Sequence, residues 1–232
     1  MIVKPVSNQD AQSMSIRCHY LHRECPCTQA YGLFNDADKM IGVCIYGVPS
    51  SSTLKRGICG DEEADHVIEL KRLYVEDDAP QFAESFFISQ TFKLMRKDQP
   101  NYDILVSYAD GGYGHVGTVY QATNWLYTGL SAAFVDYIEE GNDKDHLTQA
   151  DAWKAKYGSA AKAREALGDK ITTIERSRKH RYIKFNGTSR ARNQQLLGKL
   201  RYSIMPYPKR EGGGVMRITN SFQVKSLESW GE

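Results

Sequence analysis

The most constraining feature of this chain is one long alternation. A strand-like run, "HVIELKRLYVEDD" (His66–Asp78), leads into an amphipathic segment, "PQFAESFFISQTFKLMRKD" (Pro80–Asp98), and then into a buried-looking run, "YDILVSY" (Tyr102–Tyr108). In the first run Ile68, Leu70, Arg72 and Tyr74 alternate onto one face, the period of a strand. The second opens with a proline suited to a first turn and closes on basic residues, as a helix does. Its apolar residues Phe82, Phe86, Phe87, Leu94 and Met95 offer a broad surface to a sheet. A strand, a covering helix and another strand in immediate succession predict a sheet with a helix packed on it.

Flanking segments extend the pattern. "YGLFNDADKMIGVCIYGV" (Tyr31–Val48) predicts an antiparallel hairpin, and "SSSTLKRGICGDEEAD" a loop. "GTVYQATNWLYT" is expected to be a helix stopped by Gly129. "TQADAWKAKYGSAAKAREALG" predicts one or two short helices, "ERSRKHRYIKFNG" a basic strand, and "SRARNQQLLGKL" a further short helix. The expected class is α/β (α+β): a mixed, mostly antiparallel sheet with helices on both faces. A core over residues 1–175 and a basic segment over 176–232 that completes the sheet form one integrated domain.

Charge is unevenly spread. Residues 1–175 hold 17 Lys and Arg against 25 Asp and Glu, whereas 176–217 hold 12 against one. A net +11 over so short a stretch points to a polyanion partner, nucleic acid first; a solvated basic face is the plainer reading. No apolar run is long enough for a membrane span. The N-terminus lacks the regions of a signal peptide, which predicts a cytoplasmic protein. Five cysteines then read as free thiols.

Three stretches carry candidate chemistry. "LVSYADGGYGHVG" places Ser107, Tyr108 and Asp110 at the carboxyl end of a strand, where open α/β sheets build their sites, followed by glycines that allow close approach of a ligand. Asp110 is a candidate general base, Ser107 a donor to a polarised carbonyl, and Tyr108 a stacking surface or proton relay; a capping aspartate and a core tyrosine are the alternatives. Arg72 on an apolar strand face needs an anionic or carbonyl partner, Asp110 or a substrate phosphate. "RCHYLHRECPC" offers Cys18, His19, His22, Cys25 and Cys27 as metal ligands, without zinc-finger spacing.

Together "CHYLH", "YGVPSS", "RGICG", "VIELKRLYVED", "AESF", "VSYADGGYGHVGTVYQATNWLYTG", "RKHRYIKF" and "LRYSIMPYPK", spread over about Ile16 to Lys209, resemble the Mom DNA-modification family of Mu-like phages. The resemblance implies a GNAT-like acyltransferase fold, which the strand order also suggests. It implies conversion of adenine in phage DNA to N6-carbamoylmethyladenine, which protects that DNA from host restriction. By motif it implies roles for His19, Tyr20, Arg72 and the Ser107–Asp110 segment, and iron has been linked to the family. It makes double-stranded or locally opened DNA the partner. Tyr108, Tyr113, Tyr120 and Trp125 become stacking candidates, Trp125 reading better as core. Asn124 becomes a reader of the adenine edge, and Lys179, Arg181 and Arg201 phosphate contacts. The oligomeric state stays open, a homodimer included.

The donor is a separate question. A coenzyme A enzyme of this fold binds pyrophosphate on a glycine-rich turn before a helix. Here that turn is "EDDAPQFAES", with Glu76, Asp77, Asp78 and Glu84 and no glycine. An acetyl group also lacks the nitrogen of the product. A glycyl group is isomeric with carbamoylmethyl, so an activated glycine such as glycyl-tRNA is the expected donor, with acetyl-coenzyme A as the alternative. Two other functions remain in view: a GNAT N-acetyltransferase acting on a protein or small-molecule amine, and a non-enzymatic DNA-binding protein with a Cys/His metal knot.

Overall fold

The computed structural model describes residues 1–141 and 146–209. Contacts divide the chain into two compact units, one made of 1–130 with 179 onward, the other of Ser131–Arg178.

The first unit is built on one mixed sheet. Its strands are β1 (Ile2–Pro5), β2 (Gln29–Phe34), β3 (Met40–Gly47), β4 (Val67–Val75), β5 (Ile104–Asp110), β6 (Leu126–Leu130) and β9 (Lys179–Phe185). The spatial order is β1-β2-β3-β4-β5-β9-β6; only β4 and β5 run parallel. The basic strand of the sequence reading is therefore an interior strand, antiparallel to both β5 and β6.

The β2–β3 hairpin closes as expected, with the Asn35 side chain accepting the amides of Ala37 and Lys39. Helix α1 (Asn8–Cys18) was not anticipated, because its apolar face is narrow; Ser7 caps it, and Ala11 and Met14 bury against Val43 and Ile45. "SSSTLKRGICGDEEAD" is not a loop. It holds α2 (Ser52–Cys59), capped by Ser51, and a 3₁₀ turn, because Ile58 and Cys59 bury against Val67, Ile104 and Leu196. Helix α3 (Ala83–Asp98) links β4 to β5 as predicted. It buries Phe87, Ile88, Phe92 and Met95 against the sheet, while Phe82 and Phe86 face outward.

"GTVYQATNWLYT" departs from expectation. Helix α4 spans only Thr118–Ala122, then Asn124 takes a left-handed turn (φ 57°) and the chain becomes β6. Aromatic Trp125 and Tyr127 both bury in the sheet's core, and that packing outweighs the helical spacing. Trp125 is wholly buried, as the core reading expected. Helix α7 (Arg190–Lys199) follows β9, and Arg192 bonds both Glu63 (2.6 Å) and Asp103 (2.7 Å).

The second unit pairs β7 (Val135–Glu139) with β8 (Ile171–Glu175); between them lie α5 (His146–Tyr157) and α6 (Ala160–Leu167). No helix of the described residues is long and apolar enough to cross a membrane.

Two features of β4 position the site. The pairing of Ile45 with Arg72 and of Tyr46 with Leu70 leaves Lys71 unpaired, a β-bulge. The bulge reverses the alternation. Ile68 and Leu70 pack toward α3, and so do Leu73 and Val75, whereas Tyr74 packs beside Met14 of α1. Arg72 thus shares the α1 side with Tyr74, not one face with Ile68 and Leu70. Pairing of β4 with β5 also stops at Leu70 and Ser107, beyond which the strands splay. A β4–α3–β5 unit with a bulge and a splay is the core of a GNAT-like fold, and the strand order bears out that expectation.

Candidate functional site

The splay opens a cavity of about 490 Å³. One wall comes from β4 (Leu70, Lys71, Leu73) and another from the end of β5 (Tyr108–Asp110). His19 and Tyr20 close it beyond α1, Phe82, Glu84 and Ser85 at the start of α3, and residues 115–120 on the far side.

Ser107 sits where the ladder ends. Its buried Oγ lies 2.9 Å from Leu70 O and 2.8 Å from the Tyr120 hydroxyl. It therefore supplies the polar partner that β4 loses when β5 diverges, and it ties α4 to the sheet. Tyr120 is buried between Trp125 and Tyr182, and burial pushes its phenol up. Tyr120 lines the cavity, and Ser107 holds it from behind.

His19 is the C-cap residue of α1 and is only 7 % exposed. Its Nδ1 accepts the Leu21 amide at 3.2 Å, so the neutral ring carries its proton on Nε2. Burial, the Arg72 guanidinium and the rings of His22 and His115 lower its pKa to about 4. His19 is a neutral hydrogen-bond donor at physiological pH. Tyr20 stacks on it at 4.3 Å. Burial, and then the charge of Asp110, raises the Tyr20 phenol to about 12 against the opposing pull of Arg72, so it too stays protonated.

Asp110 ends β5, 8 % exposed. Its Oδ1 accepts the Gly112 amide at 3.0 Å, and its Oδ2 lies 3.2 Å from Lys179 Nζ. A carboxylate oxygen accepts protons and N–H groups. It both holds the following turn and places an anion in the cavity wall.

The partner foreseen for Arg72 is not Asp110, whose ion pair is with Lys179. Arg72 donates to Lys71 O at 2.8 Å; its buried Nε has no partner, and its charge is felt by His19, Tyr20 and Cys25. The bulge explains the discrepancy, since it turns Arg72 toward the end of α1. Lys71 was overlooked. The bulge swings it into the cavity wall, 2.8 Å from Glu69, with its side chain 8 % exposed. No period in the sequence signals a bulge.

The metal candidates do not assemble. Among the described residues no three His, Cys, Asp or Glu side chains could share an ion. His22 Nδ1 is engaged by Ile16 O at 2.9 Å, and His19 Nδ1 by the Leu21 amide. Cys18 borders Tyr74, and the Cys25 backbone is held by Gln12. Among the described residues these side chains do not fit an iron site.

The model of the Mom protein family matches residues 1–209. The chain belongs to the Mom protein family. A relative in Escherichia phage Mu, named methylcarbamoylase mom, is 28 % identical over 178 residues, covering 77 % of this chain and 70 % of that protein. Two solved structures are similar to most of this chain at low scores. The ribosomal-protein-alanine N-acetyltransferase of Brucella melitensis has a TM-score of 0.43 at 10 % identity, covering 80 % of this chain and 99 % of its own. The ribosomal-protein-S18-alanine N-acetyltransferase of Escherichia coli has a TM-score of 0.43 at 8 % identity, covering 81 % and 95 %. At such scores the fold assignment rests on strand order, bulge and splay.

In this Mom-family chain the remaining expected contacts scatter. Tyr108 is half-buried on the cavity wall, and burial raises its phenol. Asn124 lies away from the cavity, over a shallow depression with Lys184 and Leu197. Arg181 is occupied: it bonds Thr128 Oγ1 (2.9 Å) and O (2.8 Å), and its guanidinium lies 3.5 Å from the Tyr202 ring centroid. Arg192 and Lys199 are likewise held by acids of the first unit. Arg201 and Lys209 are exposed, whereas residues 210–217, the end of the basic stretch, lie outside the described residues.

Proposed function

We propose that this cavity receives an adenine base from DNA and that the protein converts it to N6-carbamoylmethyladenine, protecting phage DNA from host restriction. The observation that carries the reading is the gathering of His19, Tyr20 and Asp110, remote in sequence, around one cavity at the mouth of the β4–β5 splay. Adenine N6 is stacked within a duplex, so the base enters extruded or from a locally opened strand. Asp110 is the acceptor for the N6 proton. Protonated Tyr20 and the Nε2–H of His19 are donors for the oxyanion that forms at an acyl carbonyl. Arg201 and Lys209 are the exposed cations for backbone phosphates.

The donor that balances the product is an activated glycine, glycyl-tRNA in this reading. N6 attacks the glycyl ester carbonyl; the ester C–O bond breaks, and the 3′-hydroxyl leaves with a proton. The resulting N6-glycyl adenine rearranges when its amine attacks C6 through a five-membered ring and the original C6–N6 bond breaks. Glycine nitrogen then sits on C6, and the former N6 becomes the terminal carboxamide. No atom is added or lost in that second step.

Acetyl-coenzyme A is the second reading, favoured by one observation: the start of α3, whose cap residue Phe82 offers no side-chain acceptor, borders the cavity. Glu84 in the same wall opposes a pyrophosphate there. Isotope tracing with purified protein separates the two. Glycine labelled in carbon and nitrogen, charged on tRNA, should reach deoxyadenosine intact; label arriving from acetyl-coenzyme A without tRNA would overturn the donor.

A further inference from the structure

On the turn after Asp110 stand two rings, Tyr113 and His115, that the chemistry above does not use, beside a third, Tyr20, that it does. Tyr113 lies with its ring centroid 4.6 Å from that of Tyr20, and His115 lies 5.8 Å from Tyr20. Tyr113 and His115 are 6.5 Å apart, with planes 30° from parallel. The three rings are mutual neighbours, His19 stacks on Tyr20, and Tyr20 and Tyr113 are 42 % and 36 % exposed. Aromatic side chains so placed ordinarily bury their faces or find a base to cover them.

The turn that presents them is held at several points. The Asp110 carboxylate caps it through the Gly112 amide, the Asp110 carbonyl accepts the His115 amide at 3.1 Å, and Gly114 N bonds Gly111 O. Gly114 adopts φ 70° and Gly117 φ 76°; a Cβ at Gly117 would meet the Tyr182 ring at 2.4 Å. The glycines that follow β5 thus form a fixed mount for two rings, built from the same aspartate that faces the cavity.

We propose that Tyr113 and His115, with Tyr20, are the stacking platform for the target purine of DNA. This rests on the reading of the cavity as an adenine site: Tyr20 and His115 line that cavity, and Tyr113 stands against Tyr20. A purine lying on this surface has its exocyclic amine beside the anion of Asp110, whose charge acts on Tyr20. Phe82, Glu84 and Ser85, at the start of α3, also line the cavity and are left for the donor. Positive charge for flanking phosphates is near, since Arg23 and Arg72 act on Tyr20 and Lys179 pairs with Asp110.

The test uses the full chain and a single-stranded DNA oligonucleotide carrying 2-aminopurine, whose fluorescence is quenched on stacking. Wild type should quench it. Tyr113→Ala and His115→Ala should each weaken binding by roughly tenfold, and Tyr113→Phe should bind like wild type, because the ring and not the hydroxyl is needed. Thermal melts of each variant are read beside the binding, and a variant counts only where its melt matches wild type. Wild-type quenching retained in the Tyr113→Ala/His115→Ala double variant would overturn the inference. So would absence of quenching by wild type, or quenching confined to an RNA hairpin labelled at its 3′-terminal purine. Nucleoside analysis of modified DNA is read separately: quenching without modified deoxyadenosine would sink the proposed function and leave the platform standing.

Discussion

The depressed pKa of His19 makes a stability prediction of definite sign. Its ordinary value is about 6.5, and in the fold it is about 4. The unfolded chain therefore binds a proton that the folded chain refuses between those values. The contribution is fully present above the unfolded pKa and is lost as pH falls toward the folded one. Between about pH 7 and about pH 5 the loss is about 2 kcal/mol, reaching about 3 kcal/mol near pH 4. The ring is 7 % exposed, so screening by water is small. Urea denaturation of wild type and of His19→Gln at the two pH values isolates the effect, because the carboxylates titrate alike in both. Wild type should lose about 2 kcal/mol more than the variant on acidification. Equal losses would mean that His19 is not held neutral by burial and Arg72, and the donor role assigned to its Nε2 would fall with it.

Asp110→Asn should remain folded yet lower modification on the order of a hundredfold, measured by nucleoside analysis; near-normal product would remove Asp110 as proton acceptor. Arg192→Ala leaves Glu63 and Asp103 without their shared cation and should cost about 3 kcal/mol in urea denaturation; an unchanged midpoint would show that the network is dispensable. Arg181→Ala should lower stability by about 1–2 kcal/mol, through lost contacts to Thr128 and Tyr202. If it weakens DNA binding at unchanged stability, the phosphate-contact expectation is restored. Charge reversal at Arg201 and Lys209 should weaken binding to all sequences and flatten its salt dependence; a change in sequence preference alone would contradict their assignment to phosphates.

The strand–helix–strand unit around α3 was legible because each element has a clean period, and so were the β2–β3 hairpin and the late basic strand β9. Three things were hidden. A bulge at Lys71 reverses every side chain after it, and the alternation Ile68, Leu70, Arg72, Tyr74 carries no trace of the extra residue. The segment Thr118–Leu130 has helical spacing, yet Asn124 breaks it and pairing with β9 makes a strand; that pairing is non-local. Helix α1 is short and mostly polar, so its existence depends on the β2–β3 surface beneath it. Of the residues that line the cavity, Tyr108 and Asp110 were proposed from their place at a strand end, and His19 and Tyr20 from the family motif. Arg181 and Asn124 were chosen by residue type, and residue type does not tell a free cation from one already bonded to Thr128, or an edge reader from a turn residue.

The reaction proposed for the cavity of the β4–β5 splay is the modification of adenine in DNA. Mass spectrometry of nucleosides from the DNA of bacteria expressing this chain, beside cells expressing Asp110→Asn at equal soluble level, tests that proposal most directly. A deoxyadenosine derivative with the mass of the N6-carbamoylmethyl product is expected in the first culture and its near absence in the second. Unmodified deoxyadenosine in both, with folded protein present in each, would contradict it.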